Sequence, residues 1–550
     1  MMSTPSIASP ARTEADAPPW YDAAILRIAA LVLTFTAAAT REVFHLTALT
    51  DSDIWLHLST GSWILQHHAI PRTALFSQFA ALPWVDSSWG FDLLTGICYR
   101  VFGLAGLPVV LMLLQVAIAI ALFTLAGGRR NFWPGVILAA LAQCSIATVS
   151  PRPAMCSLVL LACELTLLLH ARRTGDTRPL LWLPLVFLIW TNLDRQFSYG
   201  LLTLVLFWIA IIVEKSGLFS CDDHPPQISL RTLGIASAAS LLATLISPYG
   251  YRSYLPIWLS ATNSAADRFF RELHSLRFRR PQDYVLMLLV MAAFFALGRR
   301  RSRDLFLISL LIVTAIVSFR FQRDAWLVVV AAVAIIGNAI TAGCPRSRAV
   351  RDLGGYDAGA PKPAGSVTQR GVIFDTPSSA ATSVRAAEAP QKLRFQRLTT
   401  AAFVFVILFM LVMHLPARHD IRSGQVFVAR ISKAFPIGAA DFIRVNHPPQ
   451  PLFNAYAWGG FLTWALPEYP VLIDGRTDLY GDAINLPYFQ AINAELPLQS
   501  YPAFTQAQTI LLEANSPVAQ ALSTLPNFRV AYRDHVAVVL VRTEHSSDQR

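Results

Sequence analysis

Between residues 24 and 341 the chain alternates long apolar runs with short polar breaks, and one more apolar run follows at 401–414. The runs fall at 24–40, 105–126, 132–150, 154–171, 180–192, 197–213, 232–246, 284–297, 304–318, 325–341 and 401–414. A helix rises 1.5 Å per residue, so about 20 apolar residues cross a bilayer, and shorter runs in a series still mark crossing segments. The pattern predicts an α-helical polytopic membrane domain of about 11 spans. Beyond residue 415 the period changes. QPLFNAY, YPVLID, AQTILLE, NFRVAYRD and VAVVLVR read as short strands, with helices near 437–446 and 483–494 and turns at Gly459-Gly460 and Asp474-Gly475. That tail is predicted to be a small α/β domain.

The predicted organisation is a disordered N-terminal tail at 1–23 and a membrane domain at 24–341 with a large first outer loop at 41–104. A disordered cytoplasmic linker at 342–397, a last transmembrane helix at 398–415 and an extracytoplasmic α/β domain at 416–550 complete it. Residues 1–22 are polar and rich in Ala, Pro and Ser, without the apolar core of a signal peptide, so the first run stays in place as an anchor. The linker is rich in Ala, Pro, Gly, Ser and Arg and has no apolar period.

Composition agrees. Of the 550 residues 54% are hydrophobic and only 14% charged, against roughly a quarter in soluble domains. The net charge of +11 does not point to nucleic acid, because the basic residues collect in alternate loops. Arg129–Arg130, Arg172–Arg173, Arg178, Lys215, Arg231, the run at 299–303, and Arg346, Arg348 and Arg351 all fall on one side. That side is the cytoplasm by the positive-inside rule. The count requires residues 87–101 to lie along the outer surface as an interfacial helix. The six cysteines form no disulfide framework.

This orientation leaves an anomaly outside. Arg152, Arg195, Arg252, Arg320 and Arg323 are outer arginines, and charges held beside the bilayer are functional candidates needing partners. Arginine's planar fork suits phosphate. The alternative partners are outer carboxylates such as Asp194 and Asp324, or lipid headgroups. On the same face lies DSDIWLHLSTG, residues 51–61. In an extended stretch Asp51 and Asp53 would share one side. Two close carboxylates either raise one pKa for acid–base work or hold a divalent metal, Mg or Mn. His57 is one helical turn from Asp53, and Asp86 and Asp92 follow in the same loop. The bland reading of this loop is a polar segment under an aromatic belt.

DSDIWLHLSTGSWILQHHAIPRTALFS with LPWVDSSWGFDLL, SPRPAMCSL, WTNLDRQFSYG, ISPYGYRSYLP, FRFQRDAW, NAYAWGGFLTW and PVLIDGRTDLYGD resembles a group of bacterial membrane proteins. That group is related to the GT-C glycosyltransferases, which use polyprenyl-phosphate-linked sugars. The resemblance spans nearly the whole chain, though Asp194-Arg195-Gln196 stand where many relatives carry His-Gly-Gly. It implies a GT-C-like fold in the bacterial inner membrane and a polyprenyl-phosphate-linked sugar as partner. It also implies a catalytic base in the first outer loop, sometimes with a metal, at the positions of Asp51 and Asp53. His57, Asp86, Arg152, Asp194, Arg195, Arg252, Arg320 and Arg323 are then the candidate substrate-binding residues. Two other classes stay open at this point: a transporter or lipid flippase of similar topology, and a non-catalytic assembly protein that kept the fold. The run Asp474, Arg476, Asp478, Tyr480, Asp482 reads as a hydrogen-bonded loop locking the tail onto the membrane part, or alternatively as a substrate site.

Overall fold

The computed structural model of the chain describes residues 24–45, 47–146, 152–216, 228–262, 268–270, 273–299, 304–342 and 424–543. The tail at 1–23, the span at 401–414 and the linker beyond Ala342 lie outside the described residues. Helices occupy the other ten predicted spans. They are α1 (Ala24–His45), α4 (Gly106–Leu125), α5 (Phe132–Ile146), α6 (Ala154–Thr174), α7 (Leu183–Leu193), α8 (Phe197–Lys215) and α9 (Leu230–Ala243). After the short α10 (Leu255–Thr262) come α11 (Pro281–Arg299), α12 (Leu305–Arg320) and α13 (Trp326–Ala342). Among the described residues, five helices meet the length and apolarity of a full crossing, and four more are apolar but shorter. The chain is a multi-pass membrane protein.

The helix ends follow local chemistry. Asp304 caps α12 by accepting from the Leu307 amide at 3.1 Å, and α6 stops at Gly175, which takes the left-handed conformation. At the end of α6 away from the tail-facing cavity, Arg172 is buried between Glu214 and Asp304, tying α6, α8 and α12 together.

The segment that carries Asp51 and Asp53 is helical rather than extended: residues 52–67 form α2 (Ser52–His67), which packs on α3 (Trp89–Phe102). Gly61 and Gly96 allow this. A Cβ on either would collide with the backbone of the other helix. α3 covers the segment expected to hold an interfacial helix.

The tail contains α14 (Gly424–Ile431), α15 (Ile437–Asn446), α16 (Gly459–Ala465), α17 (Thr477–Ile492), α18 (Pro502–Gln506) and α19 (Pro517–Ser523). They surround four strands: β1 (Leu452–Asn454), β2 (Thr509–Glu513), β3 (Phe528–Arg533) and β4 (Ala537–Arg542). The order is β1-β2-β4-β3, with β1 parallel to β2 and the other pairs antiparallel. YPVLID joins no strand of this sheet. Val471 instead bridges Ser77 of the segment between α2 and α3, with its amide on the Phe76 carbonyl at 2.8 Å and its carbonyl taking the Gln78 amide at 3.0 Å.

That bridge is one of several ties between the tail and residues 52–84. Thr463 donates to Ser59 at 3.1 Å. Trp55, fully buried, stands edge-on to Phe435 and Phe461 and tilts against Trp464 with centroids 4.6 Å apart. Gly460 lies so close to the Ser52 carbonyl that a Cβ there would clash. The tail is therefore one wall of whatever lies at the start of α2.

Candidate active site

At the junction of the membrane helices and the tail is a cavity of about 730 Å³. Its walls come from the start of α2, residues 84–92, the turn before α6, the α7–α8 connection, Phe269, Phe270 and Leu273, Arg323 and the tail. Eight of the ten candidate residues line it: Asp51, Asp53, His57, Asp86, Arg152, Asp194, Arg195 and Arg323. Arg252 and Arg320 do not. Arg252 is exposed on the turn after α9, and Arg320 reaches the Leu273 carbonyl at 3.4 Å and stacks on Phe321.

The two carboxylates of the opening motif have different tasks. Asp51 is the N-cap of α2 and accepts from the Asp53 amide at 2.8 Å. Its side chain is 9% exposed, while that of Asp53 is 28% exposed to the cavity. The guanidinium of Arg152 spans both, with Nη2 3.2 Å from Asp53 Oδ2 and Nε 3.7 Å from Asp51 Oδ2. Among the described residues, no group of three His, Cys, Asp or Glu side chains is placed to hold a metal ion.

Behind Asp53, the close approach of α2 and α3 puts His57 Nδ1 2.7 Å from Asp92 Oδ1. Burial alone would depress the His57 pKa, but Asp92, with smaller contributions from Asp53 and Asp86, raises it to about 9. His57 is therefore an imidazolium at neutral pH. Asp86, 3% exposed, accepts from the Ser88 amide and hydroxyl. Burial, and then the charge of Asp92, hold its carboxyl well above the ordinary range.

The arginine side of the cavity is built at the α7–α8 connection. Asp194 ends α7 and accepts from the Ser157 hydroxyl at 2.5 Å, and Ser157 in turn accepts from the Trp190 indole at 2.6 Å. Burial raises the Asp194 pKa against the lowering effects of Ser157, Arg195, Gln196 and Arg323. Asp194 thus orders the wall, while the next residue reaches the cavity. Arg195 Nη1 lies 3.4 Å from Asp478 Oδ1 of the tail, a long contact. Arg323 Nε lies 3.7 Å from Asp324 Oδ1, an atom that also receives the Gln196 amide at 2.7 Å, while Tyr199 serves the other oxygen at 2.9 Å. Both arginines are a quarter or more exposed and only loosely paired.

The polar run of the tail ties it to residues 75–84 and also lines the cavity. Asp474, wholly buried, holds Arg476 through both oxygens and receives the Tyr480 hydroxyl at 2.9 Å. Arg476 donates onward to the Leu75 carbonyl at 2.9 Å and lies over the Trp84 ring, which locks the tail in place. Asp478 faces the cavity, and Gly475 abuts the Asp53 carboxylate. Gln196, Tyr456, Trp458 and Phe489 also line the cavity without having been singled out. Aromatic residues in an apolar chain give no signal of their own until the fold shows which face water.

No family model matches the sequence, and no curated protein does. Solved structures do match. The oligosaccharyltransferase of Archaeoglobus fulgidus in its apo form aligns with a TM-score of 0.51 at 10% identity, covering 96% of this chain and 75% of that one. ArnT from Cupriavidus metallidurans bound to undecaprenyl phosphate gives 0.48 at 15% identity, over 96% of this chain and 99% of that one. Its apo state gives 0.45 at 16% identity, over 94% and 97%. The likeness to the oligosaccharyltransferase is one of fold: this chain has a GT-C-like fold, a helical membrane part carrying a small C-terminal domain with a four-stranded sheet.

Proposed function

We propose that this chain is a glycosyltransferase that moves a sugar from a polyprenyl-phosphate donor to an acceptor hydroxyl, at the outer face of a bacterial cytoplasmic membrane with the tail extracytoplasmic. One observation carries the reading. A single cavity beside the membrane helices holds a partly exposed carboxylate, Asp53, together with two loosely paired arginines, Arg195 and Arg323. A base for an acceptor hydroxyl and a forked donor set for a phosphate are what this transfer needs. The fold is compatible but is not the argument, since one fold hosts many activities.

In the reaction Asp53 takes the acceptor proton as the acceptor oxygen bonds to the anomeric carbon. The bond from that carbon to the phosphate oxygen breaks, and the electron pair leaves with polyprenyl phosphate. Arg195 and Arg323 offset the charge that grows on the leaving phosphate. Asp51 contributes by fixing the Asp53 amide and so the start of α2.

The test is sugar transfer by the protein in nanodiscs, with polyprenyl-phosphate sugars as donors. Asp53→Asn keeps shape and loses the proton acceptor, so turnover should fall roughly a hundredfold to ten-thousandfold, while Asp51→Asn should cost mainly stability. Full turnover by Asp53→Asn on a substrate the wild type uses would remove the base and the reading with it.

A further inference from the structure

The pair Asp51–Asp53 invites a divalent cation, but its surroundings do not suit one. Mg²⁺ and Mn²⁺ want about six oxygen ligands in near-octahedral array. Here the Oδ1 atom of Asp51 is engaged by the Asp53 amide. The Oδ2 atoms of both residues face one guanidinium. His57, the nearest nitrogen ligand on α2, is held by Asp92 and carries positive charge, which opposes a second cation. Gly475 closes against Asp53 from the tail side.

We infer that Arg152 stands where a divalent metal would otherwise sit: it is the built-in cation of the Asp51–Asp53 pair and positions Asp53, rather than holding donor phosphate. The placement of Arg152 supports a fixed role. It lies on the turn that starts α6, its carbonyl accepting from the Met155 amide at 3.0 Å with Pro153 next in sequence. A turn anchored on a membrane helix presents the guanidinium from one direction, and its planar fork reaches both carboxylates. The guanidinium offers its positive charge to both carboxylates, 3.2 Å from that of Asp53, without a metal. Arg195 and Arg323, whose ion-pair contacts with Asp478 and Asp324 are long at 3.4 and 3.7 Å, are left for the phosphate.

The kinetic part rests on the glycosyltransferase reading; the metal-binding part does not. For binding, Mn²⁺ is titrated into the nanodisc-embedded wild type and followed by electron paramagnetic resonance. No stoichiometric site should fill below about 1 mM, the weak end of protein sites for hard cations. A stoichiometric Mn²⁺ site that disappears in the Asp53→Asn protein would overturn the inference, whether or not any sugar transfer is found. For kinetics, Arg152→Gln should lower kcat by roughly ten- to hundredfold, at the low end of what a misplaced base costs, with donor KM changed by less than about threefold. Arg152→Lys, which keeps the charge, should recover part of the loss. Guanidinium ion added to Arg152→Ala should restore turnover, an effect a merely structural arginine would not show. A donor KM raised tenfold or more at unchanged kcat would make Arg152 a phosphate ligand instead, and absence of rescue by either lysine or guanidinium would equally sink the assignment. Loss of wild-type turnover on addition of EDTA would do the same.

Discussion

Gly475→Ala is a one-methyl perturbation aimed at the point where the tail meets the proposed base. The Cβ would fall against Asp53 Oδ1, closer than any van der Waals contact permits. The backbone of Gly475 does not have positive φ, so alanine brings no torsional penalty there. The neighbour is the end of a two-torsion side chain and can give way, so the protein should still fold, at about 0.5–1.5 kcal/mol for an off-rotamer carboxylate. To restore ordinary contact the carboxylate must retreat by roughly 1 Å, and a misplacement of that size at a reacting group costs on the order of a hundredfold in rate. The assay pairs sugar-transfer turnover with thermal unfolding in nanodiscs. Gly298→Ala serves as the control, since a Cβ there meets nothing and lies on an exposed helix face. The expected result is a large fall in kcat with a small change in Tm for Gly475→Ala, and neither for Gly298→Ala. Full turnover by Gly475→Ala would refute the contact: the tail would not press on Asp53 in the working protein.

Arg195→Gln and Arg323→Gln should each weaken donor binding by about 1.5–3 kcal/mol, the worth of a charge-assisted hydrogen bond, whereas Arg252→Gln and Arg320→Gln should leave donor KM unchanged; equal effects at all four would mean a diffuse field rather than a site. His57 has a folded pKa raised to about 9, so its pairing with Asp92 contributes stability that is full below its unfolded pKa near 6.5 and is lost as pH rises through about 9. Unfolding followed between pH 6 and pH 10 should show a decline worth on the order of 1–3 kcal/mol, and His57→Gln should flatten it. Arg476→Ala strands a wholly buried Asp474 and should cost about 3–5 kcal/mol, seen as easier proteolytic release of the tail in native conditions; unchanged protease resistance would show that the aromatic seam around Trp55 holds the tail alone.

How much was legible in the sequence depends on which force placed each residue. The spans were legible because apolar length alone dictates them, and α4, α6, α8, α11 and α13 lie where the runs do. The strands in QPLFNAY, AQTILLE, NFRVAYRD and VAVVLVR were legible from apolar density. YPVLID has the same apolar density but pairs with residue 77, almost four hundred positions earlier, and local pattern carries no information about that choice. The arginines could be counted, yet charge alone did not separate Arg195 and Arg323, in the cavity, from Arg252 and Arg320, outside it. That division is made by tertiary contact: which helix end faces the tail. Asp51 and Asp53 were visible as a pair, but for a wrong geometric reason. Strand alternation would have made them equals, and the helix makes one a cap and the other a cavity carboxylate.

The helix that replaces the expected extended segment explains why so many unlike residues stand together in DSDIWLHLSTG. With 3.6 residues per turn, positions four apart share a face. Asp53 and His57 form one such pair, and Gly61 continues the stripe; this is the stripe turned to the cavity and α3, where Gly61 meets the Asp92 carbonyl and His57 meets the Asp92 carboxylate. Trp55 and Ser59 form a second pair, turned to the tail, where they meet Phe461 and Thr463 of α16. Ile54 and Leu58, buried like Trp55, fill the remaining face. One helix of four turns thus fixes the proposed base, the residue that charges its surroundings and the wall that closes over both. A change on the tail-facing stripe reaches Asp53 through rigid backbone over two residues. The polar and aromatic letters of the motif are therefore coupled, and losing Trp55 should disturb the chemistry at Asp53 although the two side chains point to different parts of the molecule.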